Sequence, residues 1–382
     1  MLFPAFLAVA FGIKARNKRG IMLQKKLLII CTQMEPGGVQ RLAIELRKDF
    51  IKLGCRADIL FIYKKRDILG EENFEVLFQE KTLNPFKLLK NVFFLLKRMK
   101  AVRYDAVLGF AHYSSPFASM MGALAGIKHR AGTQTNPPRE SKIFAIPLDK
   151  LAGSFGGYTV NIAASHAIAD CFENYPKSYK ENLRVIHNGV RTIPASIGRN
   201  EARSRLGINI DDKVLVNCGR LSEQKNQKFI VDLMNKLPEE FKLRILGEGE
   251  LREEIQNYIN ENGLENRVKL VGEVSPQEVS NFLIAGDIFV FPSLYEAFGL
   301  AMVEAMAVGL PVICSDHPAL QEVGKGAAKI IPLGKKEEWI SEIIKISSNE
   351  NLIKDMVNEG YVVSEKFSFS KMSNAFYNSI FA

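Results

Sequence analysis

Short apolar runs recur along the chain, each bounded by turn residues and followed by a stretch of helical periodicity. The first, KLLIICT (26–32), is a continuous apolar run of the kind found in strands buried on both faces. EPGGVQ follows it, and the pattern turns helical from Gln40 to Leu53. RADILFIY (56–63) reads as a second strand, NPFKLLKNVFFLLKRMKAVR (84–103) as a long helix and YDAVLGF (104–110) as a third strand. KHRAGTQTN (128–136), VNIAASHA (160–167) and NLRVIHNGV (182–190) continue the series.

A polar segment, RTIPASIGRNEARSRLGINIDD (191–212), then separates two halves. The second half restarts with KVLVNCGRL (213–221) and goes on through KLRILGEG (242–249), RVKLVGEV (267–274), IFVFPS (288–293), PVICSD (311–316) and AAKIIPL (327–333). Helical patterns fill the gaps. Strands alternating with helices predict an α/β class with parallel sheets covered on both faces. Two such series predict two Rossmann-like domains facing across a cleft, with ligands at the carboxyl ends of the strands. No internal repeat or low-complexity tract interrupts the pattern.

Composition agrees with this picture. A chain of 382 residues, 47% hydrophobic and 24% charged, has the material for two globular cores. Its five cysteines (Cys31, Cys55, Cys171, Cys218 and Cys314) are scattered, without metal-binding spacing, and read as reduced thiols of a cytosolic protein. The apolar run at residues 2–13 is too short to span a bilayer. Its charges follow it, whereas a signal peptide carries them first. The expectation is that Met22, which opens MLQKKLLIICT, is the true start; the alternative is a short membrane-surface anchor.

Charge divides the halves more sharply than composition does. Residues 1–190 hold 29 Lys/Arg against 15 Asp/Glu, a net +14, while residues 191–382 hold 22 against 27, a net −5. A basic first half suggests contact with an anionic surface. The helix at 84–103 sharpens this, since Lys87, Lys90, Lys97, Arg98, Lys100 and Arg103 alternate with Phe86, Leu89, Val92, Phe93 and Leu96. That composition suits an amphipathic helix lying on an anionic membrane, or a packing helix with a wet basic face. A nucleic-acid partner is not expected, because no recognition motif accompanies the basic pI.

The candidate chemistry lies at strand ends. In EAFGLAMVE (296–304) two carboxylates, Glu296 and Glu304, bracket a Gly and small or apolar residues. A helix starting near Gly299 puts Glu296 in the preceding loop and Glu304 about one and a half turns in, roughly 7.5 Å along the axis. A helix N-terminus suits phosphate, and carboxylates suit sugar hydroxyls. A nucleotide sugar carries both groups. CGRLSEQKN (218–226) places Arg220 and Lys225 after another strand, where two cations can neutralise a leaving diphosphate. MEPGGVQR (34–41) is a Gly-Gly turn, where Gly37 and Gly38 permit close backbone approach. GEGELRE (247–253) fails as a dinucleotide fingerprint, because Arg252 stands where the third glycine belongs. No DxD pair or other plausible set of metal ligands is seen.

Taken together, PGGVQR, VIHNGV, CGRLSEQKN, LGEGELREEI, VGEVS, PSLYEAFGLAMVEAMAVGLPVI and FSFSKMSNAFYNSI resemble family 4 glycosyltransferases over nearly all of residues 25–382. These are retaining enzymes of the GT-B fold, found in capsule, exopolysaccharide and lipopolysaccharide synthesis. The resemblance implies that Glu304 hydrogen-bonds the nucleotide ribose and that Glu296 contacts the transferred sugar. Backbone N–H groups of Phe298, Gly299 and Leu300 would meet the sugar and diphosphate, and Arg220 and Lys225 would bind the diphosphate. Val274 would lie near the base, and Gly37 and Gly38 would close over the diphosphate from the other domain.

His112, in GFAHYSSPF, matches a histidine near the reacting centre, whereas His166 reads as structural, beside a helix cap. The loop GTQTNPPRE (132–140) would shape the acceptor site. By the same resemblance no metal is needed, the donor is a UDP-sugar, and the acceptor is a saccharide or lipid-linked saccharide. The implied domains are 22–190 for the acceptor, 191–364 for the donor and 365–382 as a helix crossing back, with closure about the 190–200 linker. A nucleotide-sugar 2-epimerase shares this architecture, and a non-catalytic binding subunit is a second alternative. The protein is expected in the cytoplasm, peripheral on the inner face of the membrane.

Overall fold

The computed structural model describes residues 24–35, 37–66, 74–80, 84–111, 113–138 and 145–382. The first sheet contains β1 (Lys26–Met34), β2 (Arg56–Lys64), β3 (Glu75–Phe78), β4 (Ala106–Phe110), β5 (His129–Gln134), β6 (Val160–Ala163) and β7 (Leu183–Val185). Their order is β3-β2-β1-β4-β5-β6-β7. β1 is central, with Leu27 paired to Ala57 on one side and Ala106 on the other, both in parallel. Leu27 to Ile30 are fully buried, which is why this strand reads as an unbroken apolar run. β3, a four-residue edge strand, is too short and mixed to stand out in the sequence.

The second sheet contains β8 (Lys213–Cys218), β9 (Phe241–Leu246), β10 (Val268–Gly272), β11 (Ile288–Phe291), β12 (Val312–Cys314) and β13 (Ala328–Ile330). The order β10-β9-β8-β11-β12-β13 is doubly wound. Side chains alternate between two cores, as the period of two in a strand requires. Val214, Val216, Phe289, Phe291, Val312 and Cys314 enter one core, beside Met302 and Leu320. Leu215, Ile245, Ile288, Val290 and Ile313 enter the other, beside Trp339. Trp339 is fully buried and its indole N–H donates to the Pro332 carbonyl at 3.1 Å, so no polar group is left orphaned there.

Strand order reverses between β8 and β11, and likewise between β1 and β4. In open α/β sheets that reversal opens a crevice beyond the carboxyl ends of the two strands, and ligands bind there.

The described residues form two compact units, one made of those up to Gly132 with 157–159 and Phe381, the other of those within 133–156 and 160–380 with Ala382. Within the second, the closing helix Phe369–Phe381 is entered through a bridge between Val190 and Ser368. A side chain at Gly189 would come 2.7 Å from the Phe369 Cα, so VIHNGV needs its glycine for this backbone approach. Within the first unit, the Phe381 ring lies edge-on to Phe50 at 6.4 Å. Among the described residues no helix is long and apolar enough to cross a membrane.

Candidate functional site

The loops after β8 and β11 are stitched together. β11 stops at Phe291 because Pro292 has no N–H to continue the ladder. Gln224 then accepts from the Leu294 N–H on its carbonyl at 2.8 Å and donates through Nε2 to the Tyr295 carbonyl at 3.0 Å. Asn226 donates to the Pro292 carbonyl at 3.2 Å. Asn226 holds a left-handed backbone, φ 53°, which asparagine tolerates better than most residues and which turns the chain from a 3-10 turn into the helix Gln227–Met234.

This stitching brings Lys225 onto Glu296. Lys225 Nζ donates to Glu296 Oε1, and Ser293 Oγ donates to the same oxygen at 2.8 Å. The ammonium also lies 4.9 Å from the centre of the Phe291 ring. Glu296 is only 6% exposed, so its charge depends on these partners. Ser293 is fully buried and its carbonyl accepts from Ser315 Oγ at 2.5 Å, which ties the loop to the end of β12.

The rest of the loop is anchored by Phe298. Its buried ring meets Phe367 edge-on at 5.1 Å and His187 at 6.1 Å. Ser165 Oγ donates to the Ala297 carbonyl at 2.7 Å. Gly299 has φ +95°, and a side chain there would press to 2.6 Å from Leu320 Cδ2. Only glycine fits this N-cap, from which the helix Leu300–Ala307 starts. The first N–H groups of a helix lack intrahelical acceptors. Half-buried Glu304 lies about one and a half turns in, so the helix boundary expected from the sequence is the one observed.

Arg220 follows β8 too but is 61% exposed, with its Nε 3.1 Å from Glu250 Oε2, itself 56% exposed. Beside it, the glycines of GEG serve the fold. A side chain at Gly247 would lie 2.0 Å from the Gly219 carbonyl oxygen, and one at Gly249 would lie 2.2 Å from that of Leu221. They let the loops after β8 and β9 run side by side, joined from Leu221 N–H to the Glu248 carbonyl at 3.0 Å. Val274, beyond the end of β10, is half-buried against the core that holds Phe298.

In the first sheet, Gly37 caps the helix Gly38–Lys52 with an extended backbone that any residue adopts. A side chain there would meet only the flexible end of Gln40. The fold therefore gives no strong reason for a glycine at this position. Nearby Glu35 is buried, pairs with Lys65 at 2.9 Å and accepts from Gln33. Sequence reasoning did not single it out. His112 and most of the loop after Pro138 lie outside the described residues.

Ser165 caps the helix His166–Asp170, its Oγ accepting from the Ile168 N–H at 3.2 Å, so the expected cap beside His166 is present. The sequence did not signal that Glu322 completes this end. Its carboxylate accepts from the backbone N–H groups of His166 and Ala167 and contacts His187.

A model of glycosyl transferases group 1 matches residues 198–363, and a model of glycosyltransferase family 4 matches residues 36–192. The chain belongs to these glycosyltransferases. An uncharacterized glycosyltransferase of Methanocaldococcus jannaschii is 29% identical over 262 residues, 63% of this chain and 64% of that one. The amylovoran biosynthesis glycosyltransferase AmsK of Erwinia amylovora is 31% identical over 248 residues, 58% of this chain and 60% of that one. The matches to the first curated relatives thus span under two-thirds of those proteins' lengths. The solved structure of Anabaena HepE with UDP and glucose superposes with a TM-score of 0.83, at 18% identity, over 94% of this chain and all of that one. This glycosyltransferase therefore has the GT-B fold, in agreement with the two doubly wound sheets.

Proposed function

We propose that this glycosyltransferase moves a sugar from a UDP-sugar to an acceptor hydroxyl with retention of anomeric configuration. The observation that carries the reading is the convergence of Lys225, Glu296 and the Gly299–Leu300 helix start at the reversal point between β8 and β11. Both hydrogen bonds to Glu296 use Oε1, which leaves Oε2 for a hydroxyl of the transferred sugar. The helix start and Arg220 take the diphosphate, and Glu304 takes the ribose. The preorganised cations and N–H dipoles stabilise the leaving diphosphate without a metal. The acceptor attacks on the face the diphosphate leaves, through an oxocarbenium-like state, and its proton passes to the departing phosphate. UDP and glucose in HepE support the donor class, and the amylovoran role of AmsK supports polysaccharide synthesis.

In this reading residues 22–190 serve the acceptor, residues 191–364 hold the donor and residues 365–382 form the closing helix. Gly37, unexplained by its backbone, keeps a turn open for the substrate. The acceptor is a saccharide or lipid-linked saccharide, and the protein works in the cytoplasm, docked on the inner face of the membrane. Exposure along the helix Pro85–Val102 supports docking: Phe86 is 85% exposed, Leu89 77% and Phe93 64%, among lysines 87, 90, 97 and 100. Reversing those four lysines to Glu abolishes binding to anionic vesicles at low salt, measured by co-sedimentation; unchanged binding refutes the docking.

The test of the activity is incubation of the purified protein with UDP-sugars and lipid-linked acceptors, followed by NMR of the product. An α-linked product from an α-linked donor is expected. A β-linked product refutes retention. An epimerised sugar released without acceptor identifies a 2-epimerase instead.

A further inference from the structure

We propose that His166, His187 and Glu322 form a binding site for one divalent transition-metal ion, zinc in the first place, beside the loop that carries Phe298 and Gly299. One ligand atom from each residue lies within 4.8 Å of the others. The residues are far apart in sequence, at positions 166, 187 and 322, so no spacing motif announces the site. β6 leads to His166, β7 to His187, and the helix Pro318–Gly324 carries Glu322.

The geometry suits one ion. At a Zn–N distance of about 2.0–2.1 Å, two imidazoles on a tetrahedral ion have ring centres about 5–5.5 Å apart. The His166 and His187 ring centres are 5.7 Å apart, and the rings are inclined at 62° rather than stacked. His187 Nε2 is already 2.5 Å from Glu322 Oε1. Tetrahedral coordination spaces ligand atoms by about 3.3 Å, so an ion separates that pair slightly and draws His166 inward. His166 is exposed, whereas His187 is held between Phe298 at 6.1 Å and Phe367 at 5.2 Å.

The backbone contacts that hold Glu322 point the same way. The His166 N–H donates to Glu322 Oε1 at 3.0 Å and the Ala167 N–H to Oε2 at 3.1 Å, fixing the carboxylate with lone pairs to spare. On binding, His187 takes the tautomer with its proton on Nδ1, freeing Nε2 for the ion. Two imidazoles and one carboxylate suit zinc and its neighbours, not the all-oxygen preference of calcium or magnesium. Water fills the fourth position.

The ion would tie three segments together where Ser165 already bonds the Ala297 carbonyl and where His187 meets Phe298. Its role would be to stiffen that loop, and it takes no part in sugar transfer.

The test uses full-length, tag-free, EDTA-dialysed protein carrying Cys171→Ser, which removes the exposed thiol as a rival ligand. Zinc is titrated by calorimetry, and cobalt(II) by visible absorption. One ion per chain, with the intense bands of tetrahedral cobalt, is expected. His166→Ala keeps its backbone N–H and should leave the metal-free melting temperature unchanged while weakening zinc at least tenfold. His187→Ala should abolish the cobalt bands. Absence of saturable binding, or wild-type affinity in His166→Ala, overturns the proposal.

Discussion

Arg220 and Lys225 stand five residues apart in one loop, yet the fold treats them in opposite ways. Lys225 is drawn beneath the loop after β11, its side chain 18% exposed against a Glu296 side chain 8% exposed. Arg220 stays in solvent, 61% exposed, on a partner almost as exposed. A buried pair costs desolvation that only good geometry and added hydrogen bonds repay, and Ser293 supplies one such bond. An exposed pair contributes little to stability. Of two cations in one loop, one thus serves the architecture of the loops and the other stays exposed to solvent.

Mutations break this comparison in a fixed order. Lys225→Ala strands the Glu296 carboxylate and should cost about 3–5 kcal/mol of stability. Arg220→Ala should cost about 0.2–1 kcal/mol. Urea unfolding midpoints compare the two, and equal losses would abolish the distinction. Next in size, Gly299→Ala forces a side chain into a left-handed backbone against Leu320. The strain of about 1–2 kcal/mol should weaken nucleotide binding about tenfold, because the loop must shift to relieve it. Unchanged UDP affinity would show that the helix start makes no contact with the donor. The smallest effect sharpens the account most: Glu250→Ala frees Arg220 and should tighten UDP binding by up to about fivefold, equivalent to an exposed pair of about 1 kcal/mol. Weaker binding in that variant would mean that Glu250 positions Arg220 instead of competing for it.

The two sheets were legible because buried parallel strands leave apolar runs that turn residues interrupt. KLLIICT, YDAVLGF and KVLVNCG each fall on an observed strand. IFVFPS overran by two residues because Pro292 ends the ladder. EVLF at 75–78 escaped notice as a short edge strand. At the site, the helix start at Gly299 and the place of Glu304 followed from local periodicity. The Lys225–Glu296 pair did not, because it spans 71 residues and depends on how two loops cross. Glu322 was invisible for the same reason, its partner His187 lying 135 residues away. Local chemistry is written along the chain, whereas pairing between loops is written only in the sheet order.

The most direct measurement is calorimetric titration of the wild-type protein with UDP, GDP, ADP and NAD, repeated on Glu304→Ala. The account predicts saturable binding of UDP in preference to the others, lost in the variant, because it assigns the ribose hydroxyls to Glu304. Equal UDP binding by wild type and Glu304→Ala, or binding of none of the four, would contradict the donor site at the ends of β8 and β11.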